Sequence, residues 1–203
     1  MAIKPTKPNS PLAKHKQLLI LVECAIMIAL AFVLGFLPLP SWPNGGSVSV
    51  TSLPLIYISY RHGLKWGLVT GFVHSVLQLL TGWYAPPAGT LIAVIACVLL
   101  DYILAFTVLG TASVFVPLGG KNRLVGYGIG AAAANLLRFV CSFLSGIFLW
   151  GSYAPEGQPV WLYSLTYNGG YMIPNAIVAA VCLVLLCALV DPKTLRPMKK
   201  RKE

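Results

Sequence analysis

Long apolar runs separated by short polar segments dominate the chain. Long runs lie at about residues 17–37, 64–80, 91–116, 124–150 and 169–190, and a shorter run lies at 51–60. A membrane helix needs about 20 predominantly apolar residues. The short second run is expected to be tilted, broken or partly extended at its outer end. The pattern predicts an all-α membrane protein built as a six-transmembrane-helix bundle.

Lysine and arginine mark alternate ends of these runs. They occur in the N-terminal segment, in the turns at 61–65 and 121–123, and at the C-terminus, while the three intervening loops contain neither. Because basic residues favour cytoplasmic loops, both termini are predicted to be cytoplasmic. The resulting division is a cytoplasmic tail at 1–16, a membrane domain at 17–190 and a basic cytoplasmic tail at 191–203.

Composition supports a multi-pass protein of the cell membrane. The 203 residues are 57% hydrophobic and only 10% charged, against about 25% charged residues in a soluble domain. The net charge of +10 does not indicate nucleic-acid binding, because the basic residues lie at the termini and in two turns. The chain has no Walker A, HExxH or GxSxG motif, and its five cysteines lack metal-ligand spacing, so we expect neither an enzyme nor a cofactor.

Aromatic residues collect in the predicted outer loops. They are Trp42, Trp83, Tyr84, Trp150, Tyr153, Trp161, Tyr163 and Tyr167. An interfacial aromatic belt would explain them, but a belt should occur at both membrane surfaces, and the inner side has few aromatic residues. The asymmetry favours a pocket for an aromatic or cationic ligand, since ring faces attract cations.

Four ionisable residues fall inside the predicted spans: Glu23, His74, Asp101 and Arg138. A charge at the centre of a membrane helix is costly, so each should face protein or water. Glu23 and Arg138 are candidates for structural pairing, and His74 for a hydrogen-bonded core position. Asp101 has two open interpretations, namely an ion pair with Arg138 or a carboxylate for a ligand that enters from outside.

Small residues at four-residue spacing form two helix faces. Ala25 and Ala29 share one face, and Gly126, Gly130 and Ala134 share another. Such faces let helices approach closely. Internal packing is the commoner use, and docking of another membrane protein is the alternative.

Three motifs, in order, resemble a known family. They are GGSVSVTSLPLIYISYRHGLKWGL, LLDYILAF and WGSYAPEGQPVWLYSLTYNGGYMIP. Together they are similar to the thiamine-specific substrate-binding (S) component of energy-coupling factor (ECF) transporters, over about residues 17–190. The resemblance implies a six-helix membrane protein that binds thiamine from outside. It also implies an ECF transmembrane coupling subunit and two cytosolic ATPase subunits as partners, which fits the missing Walker motif.

The resemblance also implies roles for individual residues. Asp101 stands where the family has a carboxylate that hydrogen-bonds the aminopyrimidine, and Trp150 stands at the stacking aromatic. The other implied ligand contacts are Tyr102, Tyr163 and Asn168, with Tyr84 and Trp42 as looser matches. Ala25 and Ala29 match an alanine pair that faces the coupling subunit.

The chain departs from the family pattern at two implied ligand positions. Ser142 stands where a histidine is frequent, and His74 stands where the third span often has a tryptophan. An S component for a related pyrimidine or another vitamin therefore stays an alternative. A membrane assembly protein without a ligand and a facilitator that works alone are also compatible with the sequence.

Overall fold

The computed structural model describes residues 11–197, and they form an all-helical membrane protein. The helices are α1 (Pro11–Leu34), α2 (Ser52–His62), α3 (Leu64–Thr81), α4 (Leu91–Gly119), α5 (Arg123–Phe148) and α6 (Val160–Leu189). Four of these six, α1, α4, α5 and α6, are long and apolar enough to cross a membrane. Helix α2 has 11 residues and is therefore roughly 16 Å long, about half of the hydrocarbon thickness. The predicted class, an all-α membrane protein, is confirmed.

Two helices, α1 and α6, have bounds that differ clearly from the prediction. Helix α6 begins at Val160 rather than at about residue 169, and α1 covers Pro11–Leu34 rather than 17–37. The start of α6 was missed because its first turns are rich in polar and aromatic residues, which lower the apolar signal. The carbonyl of Pro159 accepts hydrogen bonds from the amides of Leu162 and Tyr163 and so opens the helix. Residues 1–10 and 198–203 of the predicted tails lie outside the described range, and the division at 16 and 191 stays a prediction.

Helix α4 is not a regular α-helix. Its first turns, Leu91–Cys97, lead into a π-helical segment at Val98–Leu104, and 3₁₀ turns follow at Val108–Thr111 and Val116–Gly119. A π-helical turn carries one more residue than an α-helical turn and is frequent at functional sites. Asp101 and Tyr102 lie inside this widened segment.

Glycines bring three helices into close contact. A Cβ atom on Gly110 of α4 would lie 2.2 Å from the carbonyl carbon of Gly67 on α3, and one on Gly126 of α5 would lie 2.2 Å from the carbonyl oxygen of Val116. A Cβ on Gly130 would meet the Ala112 carbonyl oxygen at 2.5 Å. The small-residue face of α5 is therefore used for internal packing. The buried core beside it includes Leu55, Ile56, Tyr60, Leu109, Ala131, Ala134 and Leu183.

The two ends of the bundle differ in chemistry. At one end, called the charged end, Arg61 pairs with Glu23 of α1 and donates to the Pro192 carbonyl at 2.9 Å, and Arg123 contacts Asp191 at 3.3 Å. The other end, called the loop end, carries the connections 35–51, 82–90 and 149–159. The turns that contain arginine thus lie together, and the loops without lysine or arginine lie at the opposite end.

Candidate ligand-binding site

A cavity of about 290 Å³ lies at the loop end. Its wall is formed by the connections 35–51, 82–90 and 149–159 and by residues of α3, α4, α5 and α6. Seven of the nine residues predicted as ligand contacts border it: Tyr84, Asp101, Tyr102, Ser142, Trp150, Tyr163 and Asn168. Residues that are far apart in the sequence thus meet around one space. Their roles toward a ligand stay a prediction.

Asp101 is held by neutral donors on one oxygen only. Its Oδ2 accepts hydrogen bonds from the Ser145 hydroxyl at 2.6 Å, from Trp150 Nε1 at 3.1 Å and from the Cys97 thiol at 3.5 Å. Among the described residues, Oδ1 makes no hydrogen bond, and Asp101 borders the cavity. A carboxylate has about four acceptor positions, so this oxygen is available to a ligand that donates hydrogen bonds or carries positive charge.

The alternative ion pair between Asp101 and Arg138 is not formed. The ion pairs found within residues 11–197 are Glu23 with Arg61, Glu23 with His62, and Arg123 with Asp191. Glu23 therefore has the structural role that the sequence suggested. Arg138 borders the cavity with its guanidinium 4.5 Å from the centre of the Phe106 ring.

Trp150 and Tyr102 are oriented by hydrogen bonds. The Trp150 indole donates to Asp101 and lies 3.2 Å from the Ser145 hydroxyl, and its ring stacks on Tyr153 with centroids 6.0 Å apart. The Tyr102 hydroxyl accepts from the backbone amide of Tyr84 at 2.9 Å, which links α4 to the loop at 82–90. A flat ring can therefore be offered to a ligand in a fixed orientation.

One face of α6 supplies a row of tyrosines. Tyr163, Tyr167 and Tyr171 follow at four-residue spacing and all border the cavity. Asn168 lies beside them, but its amide is engaged within the protein. Its Oδ1 accepts from the Tyr171 hydroxyl at 2.8 Å, and its Nδ2 donates to the Ser142 carbonyl at 3.2 Å. Asn168 thus braces α6 against α5, and one acceptor position on Oδ1 is left for a ligand.

The connection between α1 and α2 is fastened over the cavity. The Tyr167 hydroxyl donates to the Pro43 carbonyl and accepts from the Gly46 amide at 3.1 Å. Asn175 accepts from the Ser49 amide at 2.7 Å. Gly45 has φ +99°, and a Cβ there would lie 2.7 Å from the Tyr84 ring, so only glycine suits this position.

Two predicted contacts lie outside the cavity wall. Trp42 packs with its ring centroid 6.0 Å from that of Tyr171 on the side of Gly170. His74 is fully buried, 5.0 Å from the Phe106 ring, and its Nδ1 has no partner among the described residues. Helical spacing cannot show whether an aromatic residue forms the first or second layer around a space. In this structure both side chains support wall residues.

Other predicted residues face outward. Ala25 and Ala29 are exposed on α1, so a docking role for them stays open as a prediction. Trp83 and Trp161 are exposed by 41% and 54%. Their exposure fits an interfacial belt, whereas Trp150 and the α6 tyrosines border the cavity. The predicted aromatic cluster therefore combines both arrangements.

Comparison with known proteins identifies the family. The sequence profile described as Thiamine transporter protein (Thia_YuaJ) matches residues 21–195. The chain belongs to this thiamine transporter family. It is 40% identical to the thiamine transporter ThiT of Bacillus subtilis (strain 168) over 92% of the chain and 98% of the relative. It is 28% identical to ThiT of Lacticaseibacillus paracasei over 85% of the chain and 89% of that protein.

A solved member of the thiamine transporter family has the same fold. ThiT from Listeria monocytogenes superposes with a TM-score of 0.70 at 27% identity, covering 84% of this chain and 94% of that one. Membership of a transporter family also confirms that the chain is not an enzyme.

Sequence reasoning missed several wall residues that this thiamine transporter fold brings to the cavity. They include Gly46, Gln78, Tyr171 and Met172, whereas Tyr167 was placed in the aromatic cluster but not among the ligand contacts. The four-residue spacing from Tyr163 through Tyr171 could have revealed the tyrosines, had the start of α6 been placed correctly. No sequence signal marks Ser145 and Cys97 as partners of Asp101, because their hydrogen bonds depend on how α4 packs against α5.

Proposed function

We propose that this protein captures thiamine in the cavity at the loop end and that Asp101 and Trp150 are its main contacts. The chain belongs to a thiamine transporter family, and we infer that it works as the S component of an ECF-type importer. Support for the site comes from one observation above all: Asp101 Oδ2 is bonded to three neutral donors, while Oδ1 stays available beside an aromatic wall. A permanently cationic two-ring molecule suits a lone carboxylate with ring faces around it.

We further propose six spans with both termini in the cytoplasm. Arg61, Arg123 and the segment after α6 lie together at the charged end, which agrees with the positive-inside rule. The loop end and its cavity would then face outward. Helices α2 and α3 complete the six spans. Helix α2 is short, and the 41–51 segment that precedes it covers the outer part of the distance across the membrane.

The proposed partners are a transmembrane coupling subunit and two cytosolic ATPase subunits. Ala25 and Ala29 present a small, exposed surface on α1 to the lipid. Another membrane helix can approach such a surface closely. Energy for uptake would come from the ATPases, since this chain carries no nucleotide-binding motif.

Binding and uptake can be tested separately. Thiamine added to the purified protein in detergent should quench tryptophan fluorescence, since Trp150 borders the cavity. A Trp161→Phe variant is the control, because Trp161 is exposed and outside the wall; it should keep the quenching. Absence of quenching in both proteins at micromolar thiamine would contradict thiamine capture, and quenching by other pyrimidines alone would favour the alternative ligand.

Partner docking is tested by a bulky residue on α1. Ala25→Trp should leave thiamine binding intact and stop uptake into cells that contain the coupling subunit and ATPases. Ala132→Trp is the matched control, since Ala132 is an exposed alanine on α5, and uptake should continue. Uptake by the chain alone in liposomes without ATP would overturn the partner proposal and favour a facilitator.

A further inference from the structure

Arg138 is a charged residue for which the protein offers no counter-ion. It lies halfway along α5 and borders the cavity. None of the three ion pairs within residues 11–197 includes it, and its Nε is buried without a hydrogen-bond partner. A guanidinium has five N–H donors and no acceptor. The ring of Phe106 at 4.5 Å attracts it but uses none of these donors in a conventional hydrogen bond.

Hydroxyl groups near the start of α2 border the same cavity. Helix α2 starts at Ser52, and its N-cap residue Thr51 makes no side-chain cap hydrogen bond to the first turn. The Thr51 hydroxyl contacts the Ser49 hydroxyl instead, and both residues line the cavity. In this first turn the Thr51 amide donates to Ser49 Oγ, the Leu53 amide donates to the Val50 carbonyl, and Pro54 has no N–H, so the turn offers few free donors to an anion. Ser52 Oγ is buried without a partner in the described structure, but Ser52 does not line the cavity.

The carboxylate of Asp101 does not neutralise the positive charge of Arg138. Its hydrogen bonds go to Ser145, Trp150 and Cys97, and it makes no ion pair within residues 11–197. The formal charges of Asp101 and Arg138 cancel in sum, but no ion pair joins the two groups. A bound thiamine would add one permanent positive charge, which Asp101 alone would have to offset while Arg138 stays unpaired. An uncompensated charge inside a membrane domain is costly.

We propose that Arg138 forms an anion subsite in the cavity, whose wall also carries the Ser49 and Thr51 hydroxyls. The subsite is filled either by a small inorganic anion that binds together with thiamine or by the phosphate of a thiamine phosphate ester. Either source supplies acceptor oxygens or a negative charge to the guanidinium donors. Binding of the ester rests on the proposed function, because the ester needs a thiamine-binding cavity. Binding of an inorganic anion to Arg138 does not depend on it.

The position of Arg138 also assigns a direction to the ligand. Because two cations repel each other, the thiazolium ring is expected to lie away from Arg138, and in the ester only the phosphate on the hydroxyethyl arm of that ring reaches the guanidinium. Acceptor atoms and anionic substituents then point toward Arg138. His74, which lies behind Phe106, adds no negative charge to this part of the cavity, since imidazole is neutral or cationic.

The test uses the purified full chain in detergent, with thiamine affinity read from fluorescence quenching. Titrations are run in sodium chloride and in sodium gluconate at the same ionic strength, and then with thiamine monophosphate in gluconate. Arg138→Gln removes the charge and Arg138→Lys keeps it, while Arg123→Gln is the control because Arg123 is exposed at the charged end. Gel filtration and melting temperature establish that each variant is folded.

If a free anion fills the subsite, thiamine should bind about 10-fold more tightly in chloride than in gluconate, a difference that Arg138→Gln abolishes. If the ester fills it, thiamine monophosphate should bind the wild type at least about 10-fold more tightly than it binds Arg138→Gln, while thiamine itself shows no such loss. Arg138→Lys should keep part of either effect. The subsite is rejected if anion identity has no effect and Arg138→Gln changes both affinities by the same factor.

A measurement without thiamine separates the anion subsite from thiamine capture. Inorganic phosphate or chloride should raise the melting temperature of the wild type more than that of Arg138→Gln, because binding to the folded state stabilises it. If thiamine fails to bind but this difference is present, thiamine capture fails and the anion subsite stands. If thiamine binds and the anions act equally on both proteins in every assay, only the subsite fails.

Discussion

Two carboxylates lie inside helices of this protein, and their surroundings are opposite. Glu23 on α1 faces cations: Arg61 Nη2 lies 2.6 Å from its Oε1, Arg61 Nε contacts Oε2, and His62 Nε2 lies 2.5 Å from Oε2. Asp101 on α4 faces a hydroxyl, an indole N–H and a thiol. Both acids are in helices that the sequence marks as apolar, yet only Glu23 is paired within the described structure.

The difference separates a structural acid from a binding acid. Both oxygens of Glu23 are engaged, and its charge is offset by the turn between α2 and α3, so it ties α1 to that turn. Asp101 receives hydrogen bonds that fix its position without offsetting its charge. A permanently cationic ligand gains most from such a site, because the protein has oriented the carboxylate and has left its negative charge unopposed.

The largest effect is expected for Asp101→Asn. Asn keeps the size of the side chain but loses the charge, and with its oxygen turned to Ser145 and Trp150 it presents an amide donor to the ligand. We expect thiamine binding to weaken about 100-fold, in line with the 2–5 kcal/mol lost when one partner of a charged interaction is removed. Isothermal titration calorimetry measures the thiamine affinity of both proteins. Affinity equal to that of the wild type would show that Asp101 is not the ligand carboxylate.

Glu23→Gln, the same loss of charge, should act on stability instead. Arg61 would lose its carboxylate, and because Glu23 is about one-third exposed the cost should be about 1–2 kcal/mol, below the range for fully buried pairs. Thermal unfolding in detergent should show a melting temperature lowered by several degrees. Thiamine affinity should change by less than about threefold. A large loss of affinity here would remove the distinction between the two acids.

Ser145→Ala should produce an intermediate effect on binding. The variant removes a 2.6 Å hydrogen bond to Asp101 Oδ2 and a neighbour of the Trp150 indole. We expect affinity to fall by about 10-fold, near the lower limit of the about 1.5–3 kcal/mol that a hydrogen bond to a charged group contributes. Thr166→Ala is the control, because its hydroxyl bonds only to its own helix at Leu162 and Tyr163. Equal losses in both variants would argue against a role for Ser145 in positioning Asp101.

Among the variants of the cavity wall and its supports, the smallest effect on binding is expected for Tyr167→Phe. The variant keeps the ring in the cavity wall but loses the hydroxyl contacts to Pro43 and Gly46 that fasten the connection between α1 and α2. Thiamine should dissociate about three- to fivefold faster, with association nearly unchanged, as most interface changes act on dissociation. Stopped-flow fluorescence measures both rates. A change confined to association would show that these contacts do not retain the ligand.

Sequence and structure agree on the features that a short stretch of the chain determines by itself. The membrane class follows from the length of the apolar runs, whereas the seven predicted contacts that border the cavity came from the resemblance of three motifs to a family. The start of α6 was wrong because Tyr163 and Asn168 belong to a helix whose first turns are not apolar. The partners of Asp101 and the isolation of Arg138 depend on how α4 and α5 pack, which no local pattern reports.

The π-helical segment at Val98–Leu104 sets the rotational phase of α4. Each residue of an ordinary helix advances about 100° around the axis, so an insertion or deletion of one residue there would turn one half of α4 relative to the other. Asp101 would then leave the cavity and face lipid or a neighbouring helix, although the aspartate itself is retained. The number of residues in this stretch therefore determines recognition as much as the identity of its side chains does. A variant longer or shorter by one residue would move the carboxylate away from the ligand without changing its chemistry.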